Sequence, residues 1–261
     1  MHDDSGPLHG GLRHLLIALG TDTPDPAAID ALAAAAGRPA TYGGRSIFFS
    51  TPPSDGLGYE ARIATTGCVA TRDGSRHDLF NALVWLIFPL VKAAMNRRHC
   101  DEAGRLVQSA TGRGPVRDAL TQFDEDGLLL VSDDEVLLDA LRGHRWREAM
   151  WERRGSLESA RLFVFGHALM DKALAPHFGL CAKARYVHRE QLGQSADDVT
   201  PARVDAWLAA QIADGVWPRS PLDLHPLPVL GLPGMTPDNE SAAYFDDARQ
   251  FRPLPAHRRQ K

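Results

Sequence analysis

Residues 76–99, RHDLFNALVWLIFPLVKAAMNRRH, limit what this chain can fold into more than any other stretch. The apolar run inside it, ALVWLIFPLV (82–91), is about half the length of a membrane span. It therefore predicts a helix over about 77–98, buried in a protein body that must surround it. Leu79, Phe80, Leu83, Val84, Leu86, Ile87, Leu90, Val91 and Met95 form its core side. Steps of three and four residues also collect His77, Asn81, Trp85, Phe88, Lys92, Asn96 and His99 into a second stripe. Pro89 lies inside the run and lacks the N–H that would bond to the Trp85 carbonyl, so a kink or break is expected there.

Two readings compete at the start of this helix. Ser75 and Asp78 have the spacing of an N-terminal cap, with Asp78 favoured by the positive helix end. His77 and Asn81 are not explained by capping. They lie one turn apart and are placed to hold either a ligand or a loop backbone together. The two ends of the stripe do not obviously serve one metal, because His77 and His99 stand roughly 33 Å apart along a continuous helix. A shared site needs another partner, with His167 the first choice.

The rest of the chain alternates helical and extended signals. Helices are expected at 24–37, 100–110, 135–143, 144–154, 167–174 and 200–215, the last capped by Thr200 with Pro201 in its first turn. RSIFFS (45–50) and RLFVF (161–165) read as strands, and 118–133 as a hairpin around an Asp-Gly turn. Residues 59–71 fit either state. WPRSPLDLHPLPVLGLPGM (217–235) carries too many prolines for a regular helix or central strand. Its Leu and Val residues predict an arm laid over the body, and the tail from His257 is basic. The expected architecture is α+β: one compact, helix-rich domain with a small sheet and a Pro-rich C-terminal arm. Residues 1–58 form its first part, 59–216 its main body and 217–261 its arm and tail.

Charge and cysteine usage exclude some function classes. A net charge of -4 gives no general attraction to nucleic acid or to an anionic membrane. Three widely spaced cysteines, with no C-x-x-C pair, fit a reducing cytoplasm better than a disulfide framework. The start MHDDSGPLHGGLRHLL is acidic and too short in apolar residues for a secretory signal.

Several blocks together resemble one bacterial family. They are HDLFNALVW, the following FP and NRRH (96–99), RDALTQFDEDG (117–127), FGHAL (165–169) with its downstream KALAP, and PLPVLGLPG (226–234). The resemblance runs from about Tyr59 to Arg252, to a family catalogued only as a domain of unknown function (DUF3025). It implies a single family domain and carries over no activity. The family commonly has Trp before the His-Asp pair, where this chain has Arg76.

The remaining candidates follow from residue chemistry. His167 falls between a strand and a helix, where side chains project to the rim of a sheet. FDEDG (123–127) reads first as a turn, with Asp124 an outside candidate for a base or a metal. GLCAKAR (179–185) offers a glycine loop and then Lys183 and Arg185, a weak anion cradle. RWREAMWERR (145–154) reads first as a core-facing Trp stripe with ion-paired arginines.

The first functional expectation is a cytoplasmic hydrolase or transferase of a small polar or anionic substrate. Its candidate catalytic residues are His77, His167 and Asp78, with Asn81, Arg117 and Lys183 binding substrate. No short metal-ligand spacing assigns a metal, and no motif names a cofactor. A small molecule is the expected partner, not a membrane or a nucleic acid. The second expectation is a non-catalytic binding or scaffold protein that uses the Arg/Trp helix and the proline arm.

Overall fold

Pro89 divides the long apolar stretch into two helices rather than bending one. The computed structural model describes residues 7–20, 25–106, 114–193 and 199–254. In it α4 (Arg76–Ile87) and α5 (Pro89–Leu106) meet at an angle of 109°. Phe88 forms the corner, and proline takes the first position of α5, where a missing N–H costs nothing. The next two N–H groups are also orphaned by the break. Leu90 and Val91 donate them to the Asp205 carboxylate at 3.0 and 2.8 Å. Asp205 reaches in from α10 (Pro201–Ala213), which runs along α5. Burial pushes its carboxyl up to about 6, and the two N–H donors pull it back. The single helix expected over 77–98 is thus two, and the charged helix expected at 100–110 is the continuation of α5.

Among the described residues no single helix is long and apolar enough to cross a membrane. The bent α4/α5 pair passes that test of length and composition only as a pair. Leu79, Ala82, Leu83, Val84, Trp85 and Val91 are within about 1% of complete burial, so the pair reads as the heart of the core.

Two small sheets accompany the helices. β1 (Phe48–Ser50) pairs in parallel with β2 (Cys68–Ala70), and α3 (Tyr59–Thr66) connects them. The larger sheet has the order β4-β3-β5-β6. β3 (Gly127–Ser132) is buried throughout and runs parallel to β5 (Cys181–His188). β4 (Arg161–Val164) and β6 (His225–Pro228) flank them in antiparallel register. β6 belongs to the proline arm, and an edge strand is where prolines are tolerated. The arm covers the body as expected, burying Trp217, Leu227, Val229, Leu232 and Phe251. Before and after β3 lie α6 (Pro115–Asp126) and α7 (Glu135–Arg142), and α8 (Arg154–Ser159) precedes β4. α1 (Arg13–Leu19) and α2 (Pro26–Ala36) open the described chain. The basic tail from His257 and the opening residues 1–6 lie outside the described residues, as does most of the TGRGP break.

The expected hairpin at 118–133 is not formed. Its first half is α6, which buries Ala119, Leu120 and Phe123 on one face. Gly127 is needed for packing, not for a turn: a Cβ there would lie 2.1 Å from the Phe123 carbonyl oxygen. A second glycine completes the junction. Phe165 and Gly166 both donate N–H to the Gly127 carbonyl at 2.9 Å, and a Cβ on Gly166 would lie 2.4 Å from the Gly127 nitrogen. This close approach sets the end of α6 beside the start of α9 (His167–Ala173). The site depends on that placement.

Candidate functional site

The start of α4 and the start of α9 face each other across the end of α6. Arg76 on α4 reaches Asp171 on α9 at 3.5 Å, and His9 anchors α9 through the Met170 carbonyl at 2.8 Å. Between these helices the Nε2 atoms of His77 and His167 stand 3.0 Å apart, with the rings at 73°. The Glu125 carboxylate, from the last turn of α6, lies 3.6 Å from His167 Nε2. Asp124 sits behind, its Oδ2 4.0 Å from His167 Nδ1. Burial drives the His167 imidazole down to about 4, against the opposing pull of Asp124, so the ring is neutral at pH 7.

A buried polar chain holds this arrangement. Lys92 Nζ meets Asp124 Oδ1 at 2.5 Å and Asn81 Oδ1 at 2.8 Å. Asn81 donates in turn to the Tyr59 hydroxyl at 2.7 Å. Burial of Asp124 favours its neutral form, but the Lys92 ammonium beside it offsets that, and the carboxyl lies below its usual range. The kink at Pro89 makes this chain possible. It folds the polar stripe of residues 77–99 back on itself, so that groups on α4 and α5 meet in one place.

The histidines open onto a cleft of about 700 Å³, a volume suited to a small-molecule ligand. Tyr59, Glu60, Asn81, His99, Arg117 and Asp124 are among its walls. Glu60 is held by the Asn96 amide at 2.6 Å, with His99 Nε2 4.0 Å away. Burial pushes its carboxyl up to about 7, opposed by Asn96 and assisted by the charge on Asp124.

The expected site residues fall into three groups. His77, His167, Asn81 and Arg117 line the cleft together, and Arg117 Nε is buried without a hydrogen-bond partner. Asp78 also lines it, but its carboxylate is already engaged. It accepts from the Arg72 main-chain N–H, Nε and Nη2, each at 2.8 Å, and Ser75 caps its N–H at 3.2 Å. Those contacts engage both Asp78 carboxylate oxygens with Arg72. Lys183 is displaced from the site. Within GLCAKAR, Lys183 is the third residue of β5, opposite Gly127 and Pro226, and is not part of the cleft wall. Arg185 stacks over Trp207 and Trp217, at 4.6 and 4.7 Å from the ring centroids.

Residues 48–255 match the family described as Protein of unknown function (DUF3025). The chain belongs to this family. No curated protein and no solved structure matches it. The DUF3025 match spans all the elements that build the cleft, from β1 to the proline arm.

Sequence reasoning passed over Glu125 and Glu60. Glu125 was hidden because FDEDG was read as a turn, whereas it is the last turn of a helix whose final carboxylates project beside His167. Glu60 follows a glycine N-cap at the start of α3, a position with no chemical signature of its own.

Proposed function

We propose that this protein is a hydrolase acting on a small polar or anionic substrate held in the cleft. The reaction centre lies between His77, His167 and Glu125. The observation that carries the reading is the 3.0 Å approach of two imidazole nitrogens from helices 90 residues apart, beside a carboxylate, at the wall of a ligand-sized hollow. Burying one imidazole and aiming two at each other is costly for stability alone, and such arrangements concentrate at functional sites. Glu60, with its carboxyl near 7, is suited to accept and return a proton at neutral pH. Arg117 supplies positive charge toward an anionic group of the substrate.

The Arg/Trp segment on which the scaffold alternative draws is engaged within the chain. Trp146 is buried and donates to the Arg252 carbonyl at 2.7 Å. Arg145, Arg147 and Arg153 are paired with Glu148, Asp246 and Asp134 at 2.6–2.8 Å.

The test is a screen of the purified chain against chromogenic esters, amides and phosphoesters and against a metabolite extract read by mass spectrometry. At least one compound is consumed, and His167→Ala lowers its kcat/KM by about 10²–10⁴-fold. The rate rises with pH through about 7 as the Glu60 carboxyl ionises to the base, and Glu60→Gln flattens that limb. Consumption of nothing, or full activity in His167→Ala, overturns the reading.

A further inference from the structure

At the centre of the cleft His167 Nδ1 faces the Asp124 carboxylate at 4.0 Å. His167 Nε2 lies 3.0 Å from His77 Nε2, a spacing that one shared hydrogen would bridge, and 3.6 Å from the Glu125 Oε2. Two ring nitrogens and one carboxylate oxygen thus converge on one point. One donor atom from each of these three residues lies within 4.8 Å of the others. Among the described residues, neither the His77 ring nor the Glu125 carboxylate has another hydrogen bond or ion pair. Each comes from a different element, α4, α6 and α9, so the convergence is a product of the tertiary fold and not of a local turn.

We infer that His77 Nε2, His167 Nε2 and the Glu125 carboxylate bind a single first-row divalent transition metal, of which zinc is the type. The donor set is the borderline nitrogen and oxygen set that such ions prefer. Three protein ligands leave the fourth position open to water or substrate, as catalytic sites do. Two imidazoles on one tetrahedral ion put their nitrogens roughly 3.3 Å apart, given metal–nitrogen bonds of about 2.0–2.1 Å. The separation of 3.0 Å needs only a shift of a few tenths of an ångström to reach that spacing. Asp124 stands 4.0 Å behind the second ring nitrogen of His167, which has no hydrogen-bond partner among the described residues, on the side where an outer carboxylate orients a ligating histidine. Lys92, bonded to Asp124, keeps that carboxylate from becoming a competing ligand.

The site also accounts for the charge of the cleft. Its walls carry four carboxylates, Glu60, Asp78, Asp124 and Glu125, against two arginines, Arg72 and Arg117. Arg72 is bonded to Asp78 and Lys92 to Asp124, which leaves the Glu60 and Glu125 carboxyls as the acids that a divalent cation would offset. Such an ion also lowers the pKa of a bound water to roughly 7, which gives a hydrolase its nucleophile. The inference therefore deepens the hydrolytic reading of the same cleft, but its test needs no substrate.

The full-length chain, freed of any histidine tag and stripped with a chelator, is titrated with Zn²⁺ alone and with Co²⁺ alone. The expected result is one equivalent of either ion per chain, with Co²⁺ giving the visible absorption of a four- or five-coordinate centre. His77→Ala, His167→Ala and Glu125→Ala each weaken binding by at least about tenfold. Replacement of the exposed His177 leaves it unchanged. The Co²⁺ spectrum of the parent chain needs no variant, so it decides the matter even if a histidine variant fails to fold. If the parent takes up no stoichiometric Zn²⁺ or Co²⁺, or no more than a natively folded His77→Ala/His167→Ala chain, the inference is overturned and the histidines share a proton instead. Stoichiometric metal with no turnover of any compound sinks the hydrolase reading and leaves the site standing. Turnover untouched by the chelator does the reverse.

Discussion

The cleft and the Arg/Trp segment at 145–154 are both dense in charge and aromatic rings, yet they differ in how those groups are used. In the Arg/Trp segment each charged side chain has its complement. Arg145 pairs with Glu148, Arg147 with Asp246, Arg153 with Asp134, and Arg154 with Glu158 and Glu240. In the cleft the network runs complete from Tyr59 through Asn81 and Lys92 to Asp124, and then stops. Beyond Asp124 stand two imidazoles and one carboxylate that only face each other. Charge that is internally satisfied marks structure. Donors left over at the end of a satisfied network mark a place for something that is not part of the chain.

The comparison is sharpest where the cleft network can be cut. Lys92→Met removes the cation from a buried pair and strands Asp124, at a cost of about 3–5 kcal/mol by urea denaturation. A cost near that of a surface pair would mean the network is not the rigid support described here. Gly127→Ala pushes a Cβ into the Phe123 carbonyl and costs about 3 kcal/mol. It also shifts the end of α6 away from α9, so a stable Gly127→Ala chain that retains the site would break the link between the glycine junction and the cleft. Asp205→Ala orphans the Leu90 and Val91 N–H groups at the α4/α5 corner and costs about 2 kcal/mol in the same measurement. Because burial raises Asp205 to about 6, its charged form opposes folding. That opposition is fully present above pH 6 and is relieved as pH falls through 6 toward the unfolded value. Stability of the parent relative to Asp205→Asn therefore improves over that window. Smallest is Arg147→Ala in the Arg/Trp segment, whose half-exposed pair with Asp246 is worth less than about 1 kcal/mol and whose loss leaves the cleft untouched.

Much of the cleft was legible before folding, because it rests on helical periodicity. The stripe from His77 through Asn81 and Lys92 to His99 follows from steps of three and four, and Pro89 announced the break that folds it. His167 was legible as the opening residue of a helix that closely follows a strand. What was not legible depends on contacts distant in sequence. Asp-Gly between β-forming residues is a strong hairpin signal, and here it is overridden by Gly127 and Gly166 packing backbone on backbone. Glu125 was lost with that misreading. Lys183 stands apart from the cleft for the opposite reason. The alternation of β5, with Ala182 and Ala184 inward and Lys183 and Arg185 half-exposed, is visible in the sequence. Alanines are weak strand formers, however, and the strand forms because β3 and β6 bracket it.

Crystals of the full chain grown with Zn²⁺ and measured on both sides of the zinc absorption edge test the central claim most directly. The account predicts one anomalous peak between His77, His167 and Glu125, about 2.0–2.1 Å from both Nε2 atoms. A map without that peak, in which the two imidazoles remain in direct contact at 3.0 Å, would contradict it.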